Sequence, residues 1–287
     1  MAGLTGTGSV VIEPFFLEAP SGPLFAVHHR PANRANERGQ VLCVPPFNEE
    51  MNRCRSMMTV LAKSLAALGF GTLVLDLYGT GDSAGEYRDA RWPTWLDDVR
   101  AAQAWLQQRP GGIKAVLGVR LGAILAAEVN ATSGVPSVPL VLWQPALEGK
   151  VHLTQFFRVR MAAQLDRNDL PKESTASMRQ QLLEGQTLEV AGYEIHPELA
   201  RSIDGARLFD QKLGAGTRVL WLENASAGKS ELSPASSTAV AAWQAAGAVV
   251  DALTYQGAAF WQVHERVLTP AIVEETSAWL DKNVAVS

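Results

Sequence analysis

The sequence predicts an α/β protein whose sheet is mostly parallel. Short, continuous apolar runs alternate with longer segments in which apolar residues recur at helical spacing. Continuous apolar runs are typical of strands that are buried on both faces, and alternating strands and helices indicate a parallel sheet covered by helices on both sides. The chain has 287 residues, of which 47% are hydrophobic and 19% charged, so it can bury a sizeable core.

The first elements are a hairpin and a strand–helix–strand unit. Residues 10–18 and 24–29 are rich in β-branched and aromatic residues and flank the turn sequence APSGP, which predicts two antiparallel strands. Buried strands are predicted over 40–46 and 71–77. Between them, Met58, Leu61, Leu65 and Leu68 recur at helical spacing, which predicts a helix.

The central elements continue the alternation. A helix is predicted over 92–109, a strand over 115–118, a helix from Leu121 and a strand over 139–145. The pattern then changes, and residues 150–215 are predicted to be a mainly helical cap inserted over one end of the sheet.

The last part of the chain returns to the alternation, with strands predicted over 217–224 and 248–255 and helices over 235–246 and 271–283. An eight-stranded, mostly parallel sheet flanked by helices and interrupted late by a cap is typical of the α/β-hydrolase fold. We therefore expect a single α/β-hydrolase domain over residues 1–287.

Composition narrows the function classes. The net charge is −4 and there is no long run of Lys or Arg, so neither a nucleic-acid partner nor an anionic membrane surface is expected. No signal-peptide pattern and no membrane-spanning apolar stretch is evident, which predicts a cytoplasmic location. Cys43 and Cys54 have no metal-binding spacing, so we expect reduced thiols, no metal and no cofactor.

The turn after the strand at 115–118 has an unusual central residue. It reads Gly118-Val119-Arg120-Leu121-Gly122, whereas serine hydrolases of this fold carry Gly-x-Ser-x-Gly at this position. In that turn the central residue is an exposed nucleophile between strand and helix, and a guanidinium cannot attack a carbonyl carbon. Arg120 therefore stands at the nucleophile position without the chemistry of a nucleophile.

Five sequence motifs resemble a known family. They are VPPFNEEMNRCRSMM, DLYGTGDSAGEY, GVRLGAILAAE, LVLWQPALEG and FWQVHE, and they occur in this order over residues 44–265. Together they resemble the exosortase A system-associated hydrolase 2 family of the α/β-hydrolase superfamily. The resemblance implies a bacterial protein associated with exopolysaccharide synthesis and protein sorting, a nominal hydrolase activity, and an elbow of the form Gly-x-Arg-Leu-Gly.

The other two positions of a catalytic triad also lack the usual residues. Alignment on local landmarks places Ala227 at the acid position and Phe260 or Ala259 at the base position. His264 and Glu50 are weak candidates for a substitute catalytic residue. Catalysis is thus one of three open roles for this site, beside ligand recognition and a purely structural role in holding loops together.

A buried guanidinium beside a helix N-terminus requires a negative partner. The loop after the third strand is expected to carry that partner, most favourably Glu50 and otherwise Glu49, with Glu265 as a third candidate. The predicted ligand-binding residues are Phe47, Glu49, Glu50, Arg120, Leu121, Gln144, Trp261 and Glu265. The expected ligand is an anionic or acyl-bearing small molecule, which the protein either hydrolyses as an ester or, alternatively, binds without catalysis as a pseudohydrolase or scaffold.

Overall fold

The computed structural model describes residues 10–132, 137–163, 173–225, 228–263 and 265–284. These residues form ten strands: β1 (Val10–Ala19), β2 (Gly22–Pro31), β3 (Gly39–Val44), β4 (Phe70–Leu75), β5 (Ile113–Val119), β6 (Leu140–Trp143), β7 (Leu188–Val190), β8 (Tyr193–Ile195), β9 (Arg218–Asn224) and β10 (Val249–Tyr255). They also form eight α-helices: α1 (Glu49–Ala67), α2 (Trp92–Gln107), α3 (Gly122–Thr132), α4 (Gly149–Ala163), α5 (Thr175–Leu183), α6 (Pro197–Gly205), α7 (Pro234–Ala245) and α8 (Pro270–Asn283).

Eight of these strands build one sheet in the order β1-β2-β4-β3-β5-β6-β9-β10. β1 pairs antiparallel with β2, and β2 pairs antiparallel with β4. Every pair from β4 to β10 is parallel. The predicted fold class, an eight-stranded and mostly parallel sheet flanked by helices, is confirmed.

The sheet is covered by helices on both faces. Residues on alternate positions of the central strands contribute to two apolar layers, as the period of a strand requires. One layer packs the sheet against α1 and α8, and the other packs it against α2, α3 and α7. Central strands such as β3 and β6 are buried along their whole length, which explains why they are continuous apolar runs in the sequence.

The segment between β6 and β9 lies over the carboxyl edge of the sheet and carries α4, α5, the β7–β8 hairpin and α6. Its apolar side chains, including Phe157 and Ile203, belong to the same apolar layer as α2 and α3. The alternating residues at 187–195 form the hairpin, which turns at Ala191 and Gly192. We refer to the described residues of this range, 150–163 and 173–215, as the cap segment.

One element begins much earlier than the apolar spacing indicates. α1 starts at Glu49, nine residues before Met58, so Glu49 and Glu50 lie in the first turn of a helix and not in a loop as expected. Acidic side chains are favourable in a first helical turn because the N-terminus carries a partial positive charge. The apolar spacing from Met58 to Leu68 indicates the helix but not its first residue, so it does not show that Glu49 and Glu50 belong to it.

Candidate functional site

The elbow after β5 has the backbone geometry that its glycines predict. Arg120 has φ 54°, a left-handed conformation that costs free energy for any residue except glycine. Its N–H donates to Trp143 O at 3.0 Å, and its carbonyl accepts from Ala146 N at 3.0 Å. A Cβ atom on Gly122 would lie 2.2 Å from Pro45 O, so only glycine allows α3 to start this close to the turn after β3.

The Arg120 side chain is buried and makes three polar contacts. Nε donates to Glu50 Oε1 at 3.1 Å, Nη1 to Gln144 O at 3.4 Å and Nη2 to Gln155 Oε1 at 3.4 Å. The guanidinium carbon also lies 5.5 Å from the centre of the Trp261 ring, within the range of a cation–π contact. The ion pair expected between Arg120 and Glu50 is therefore present.

Glu50 is held between Arg120 and the cap. Oε1 accepts from Arg120, whereas Oε2 lies 3.7 Å from His152 Nε2 and has no hydrogen-bond partner in the part of the chain that the structure describes. Burial raises the pKa of Glu50, and the attraction of Arg120 only partly opposes this. The carboxyl group is thus less readily ionised than one in water, even beside a guanidinium.

His152, on α4, contributes a neutral imidazole. Burial lowers the pKa of His152 to about 3, and the nearby Arg120 charge adds to this effect. The ring packs edge-on against Phe47 with 5.8 Å between centroids. At neutral pH the contact between His152 and Glu50 is therefore not an ion pair.

A cavity of about 190 Å³ opens directly above Arg120. Its walls come from α1, the elbow, α4 and the turn after β10, and the lining residues are Phe47, Glu49, Glu50, Arg53, Arg120, His152, Gln155, Phe156, Val159, Trp261 and Gln262. Val159 is 41% exposed, so the cavity reaches the surface beside the cap helix. The carboxyl edge of the parallel strands is where sheets of this class bind ligands.

Aromatic side chains occupy the turn after β10, in which the sequence alignment predicts the position of the catalytic base. Phe260 is buried and packs on Trp143 with 6.1 Å between ring centroids, so it belongs to the core. Trp261 is also buried and faces Arg120. Ala227 and His264, the expected acid position and the weak substitute base, lie outside the described residues.

Three predicted ligand-binding residues do not present their side chains to the cavity. Leu121 lines a separate space of about 10 Å³ on the other side of Phe47, large enough for a single water molecule. The Gln144 amide oxygen accepts from Asn224 N at 2.7 Å, so this side chain fixes the end of β9. Glu265 is exposed and is not the partner of Arg120. Glu50, in the first turn of α1, forms the ion pair with the guanidinium instead.

The predicted residues that do line the cavity are Phe47, Glu49, Glu50, Arg120 and Trp261. Sequence reasoning missed the contribution of the cap, namely His152, Gln155 and Phe156, together with Arg53. Arg53 follows Glu49 by one helical turn and lies 3.8 Å from it, so an i,i+4 pattern could have identified that pair. The cap residues carry no comparable signal, because nothing in their spacing shows which face of α4 meets the elbow.

Neither a comparison with protein-family models nor one with curated proteins finds a match for this chain. Solved structures do match over nearly the whole length. Est1E from Butyrivibrio proteoclasticus, solved with ferulic acid bound, is 15% identical with a TM-score of 0.63 over 93% of this chain and 97% of that one. A hyperthermophilic esterase from the archaeon Pyrobaculum calidifontis is 17% identical with a TM-score of 0.58 over 96% of this chain and 87% of that one.

A carboxyl esterase from Bacillus coagulans, in complex with glycerol, is 13% identical with a TM-score of 0.60 over 95% of this chain and 97% of that one. At these identities the likeness establishes the fold and not the chemistry. The protein thus has the α/β-hydrolase fold, with an arginine at the elbow. Among the described helices, none is long and apolar enough to cross a membrane.

Proposed function

We propose that the protein binds a small molecule in the cavity above Arg120 and does not hydrolyse it through a covalent intermediate. The observation that carries this proposal is that a cationic, ion-paired side chain occupies the elbow and lines an open cavity. Serine hydrolases of this fold need a nucleophile at that position and a base that activates it. A guanidinium can orient a ligand by charge and hydrogen bonds but cannot form an acyl-enzyme.

The other groups near the elbow are poor substitutes for a nucleophile. Cys54 is buried beside Glu50, and burial raises the pKa of its thiol well above the ordinary value, so little thiolate forms. Cys43 lies in β3, where burial raises its pKa to about 12. His152 is buried, and its Nε2 lies 3.7 Å from Glu50 Oε2.

The open cavity favours a ligand over a purely structural role. A scaffold protein would gain stability by filling the space above Arg120, for which Phe47 and Trp261 are already in place. Instead the cavity remains and carries charged and polar side chains, which cost free energy to bury unless they have a partner. A role in holding loops together accounts for the Arg120–Glu50 pair but not for the space beside it.

The association with exosortase and exopolysaccharide systems is a narrower proposal, and it rests on the sequence motifs. Three of the five motifs contribute residues to the cavity: Glu50 and Arg53 come from the first, Arg120 from the third and Trp261 from the fifth. Unusual motifs that converge on one cavity support a shared ligand among proteins that carry them. The same resemblance leads us to propose a bacterial protein, and the free, buried thiols of Cys43 and Cys54 support a cytoplasmic location.

Hydrolysis of an acyl- or ester-bearing small molecule is the second candidate function. It is favoured by one observation: Glu50 Oε2 and His152 Nε2 lie 3.7 Å apart at the cavity, so an acid–base pair could act directly on water. This function predicts turnover of small esters that is lost in Glu50→Gln. Binding without catalysis predicts no turnover in either protein.

The test combines a covalent probe with identification of the native ligand. The purified protein is treated with a fluorophosphonate, and its natively retained small molecules are identified by mass spectrometry. We expect no stoichiometric labelling, retention of a small molecule, and no esterase activity in Arg120→Ser, because none of the described residues holds a base against the elbow that would activate the new hydroxyl. Rapid labelling of a cavity residue with matching esterase activity would overturn the proposal.

A further inference from the structure

The guanidinium of Arg120 retains hydrogen-bonding capacity on the side that faces the cavity. Its short contact is Nε to Glu50, whereas the contacts of Nη1 and Nη2 are both 3.4 Å long. Good N–H···O bonds measure about 2.7–3.2 Å, and a guanidinium carries five N–H groups. Gln155, the partner of Nη2, is an exposed side chain on the cap helix and can rotate away from Arg120.

A small carboxylate could replace the long contacts of Nη1 and Nη2 with shorter hydrogen bonds. Two parallel N–H groups on one guanidinium bind both oxygens of a carboxylate, which is the strongest common pairing of an arginine with an anion. Phe47 and Phe156 pack edge-on with 5.2 Å between centroids and, with Trp261, form the apolar part of the cavity wall. A compact apolar or aromatic body on the carboxylate would contact these rings within a volume of about 190 Å³.

The charges around the cavity indicate that a proton must be taken up together with an anionic ligand. Glu49 and Glu50 are balanced by Arg53 and Arg120, so a bound anion leaves one negative charge in excess. Two carboxylates that share a buried guanidinium cannot both remain ionised at low cost, and one of them takes up a proton. Glu50 is the better site, because its side chain is 17% exposed and touches Arg120, whereas Glu49 is 32% exposed.

We propose that the cavity binds a small monocarboxylate against Arg120 and that Glu50 takes up one proton as this ligand binds. This inference rests on the proposed function, since it requires a ligand in the cavity. It adds the ligand class and predicts that affinity increases as the pH falls.

Among the described residues, the other titratable groups around Glu50 do not account for such a dependence. On α1 they are Glu49, Arg53 and Cys54, and on the facing elements they are Arg120 and His152. With a pKa of about 3, His152 remains neutral between about pH 5 and pH 8. The Cys54 thiol remains protonated over the same range, because burial raises its pKa.

The experiment is calorimetric titration of the full-length protein with benzoate and with benzenesulfonate from about pH 5.5 to about pH 8. The sulfonate keeps its charge throughout, so any dependence of its affinity on pH comes from the protein. We expect both affinities to fall as the pH rises, by up to about tenfold per pH unit when one proton is taken up. Titrations in two buffers of different ionisation enthalpy should show uptake of up to one proton per ligand.

The decisive variant is Glu50→Gln, which keeps an oxygen to accept from Arg120 but cannot titrate. We expect it to bind both probes with no dependence on pH and, near pH 8, more tightly than the unmodified protein. Glu49→Gln removes a charge from the same cavity and should keep the pH dependence of the unmodified protein. A thermal unfolding curve of each variant shows that it is folded.

Each alternative outcome identifies what has failed. A pH dependence that persists in Glu50→Gln, or is absent from the unmodified protein, overturns the coupling to Glu50. Binding of a neutral native ligand with no affinity for either probe overturns the ligand class but leaves the proposed function intact. Covalent labelling by a fluorophosphonate overturns the proposed function itself, whatever the calorimetry shows.

Discussion

Two ion pairs with a buried carboxylate or guanidinium lie at the carboxyl edge of the sheet, and α1 contributes to both. Arg55 donates to Asp76, the residue directly after β4, with 2.9 Å between Nη2 and Oδ2. Glu50 accepts from Arg120, the residue directly after β5, with 3.1 Å between Oε1 and Nε. Both pairs join an arginine to a carboxylate, and each has one partner on α1, yet their surroundings differ.

The Asp76 pair is closed by its own turn. Asp76 is 2% exposed, and Oδ2 also accepts from Asp82 N at 3.3 Å. A Cβ atom on Gly81 would lie 1.9 Å from Oδ2, so the turn leaves no space beside the carboxylate. The Arg120 pair has one carboxylate oxygen without a hydrogen bond, among the described residues, and an open cavity beside it.

The two turns share one backbone conformation but place different residues in it. Gly81 and Arg120 both have φ 54°. Glycine adopts this conformation at little cost in free energy. For any other residue the conformation costs about 1–3 kcal/mol, and such strain is kept where the surrounding structure requires that side chain. The difference between the turns is therefore that a glycine closes the Asp76 pair, whereas the turn beside the cavity keeps a strained arginine whose partner Glu50 has an oxygen without a hydrogen bond among the described residues.

The largest expected effect is that of Arg120→Met. It strands Glu50 in a buried position and should lower the free energy of unfolding by about 3–5 kcal/mol near neutral pH. Adding Glu50→Gln should restore much of this loss, because no buried charge then remains. Chemical denaturation of the two single variants and the double variant measures the coupling.

The comparison variant is Arg55→Met. It should lower the free energy of unfolding by only about 1–3 kcal/mol, because Asp76 still accepts a hydrogen bond from Asp82 N. The Arg55 side chain is also 39% exposed. A coupling near zero between Arg120 and Glu50, or a larger loss in Arg55→Met than in Arg120→Met, would contradict the contrast between the two pairs.

An effect of intermediate size is expected for Gly81→Ala. The new methyl group would collide with the Asp76 carboxylate and force a left-handed residue, which together should cost about 2–3 kcal/mol. Gly185→Ala is the matched control: Gly185 has φ 84°, but nothing lies within 4 Å of a Cβ there, so about 1 kcal/mol is expected. Equal losses in the two variants would show that backbone strain alone, and not closure around Asp76, requires Gly81.

The fold was largely predictable because it depends on patterns that sequence displays. Continuous apolar runs identified β3, β4 and the later parallel strands, and the turn residues around the hairpin identified β1 and β2. The elbow was predictable for the same reason, since Gly118 and Gly122 frame a turn that brings α3 against Pro45. The Arg120–Glu50 pair followed from the cost of an unpaired buried charge.

The cavity could not be predicted with the same success. Its upper wall comes from α4, about thirty residues after the elbow in sequence, and no local pattern indicates that His152 and Gln155 face Arg120. Glu265 was considered beside Glu50 because both were assigned to loops near the elbow. Only the start of α1 at Glu49, which places Glu50 in the first helical turn, decides between them.

The smallest expected effect is a pH dependence of stability that separates Glu50 from ordinary carboxylates. Its pKa is raised in the folded protein, so the unfolded chain releases the proton first as the pH increases. The stabilisation from this group is therefore complete below about pH 4.5 and is lost as the pH rises through the folded pKa, by about 1.4 kcal/mol for each unit between the two values. Glu50→Gln cannot lose this stabilisation, so the stability of the unmodified protein should decline relative to that variant over this range.

Other titrating groups, such as Asp98 and His28, are present in both proteins, and their contributions largely cancel in the difference. Denaturation curves at several pH values test this, and Glu265→Gln, a change at an exposed carboxylate that does not contact Arg120, serves as the control variant. A difference that stayed flat or grew in favour of the unmodified protein would mean that Arg120 keeps Glu50 ionised, as a salt bridge in a fully enclosed site would, despite the cavity beside the pair.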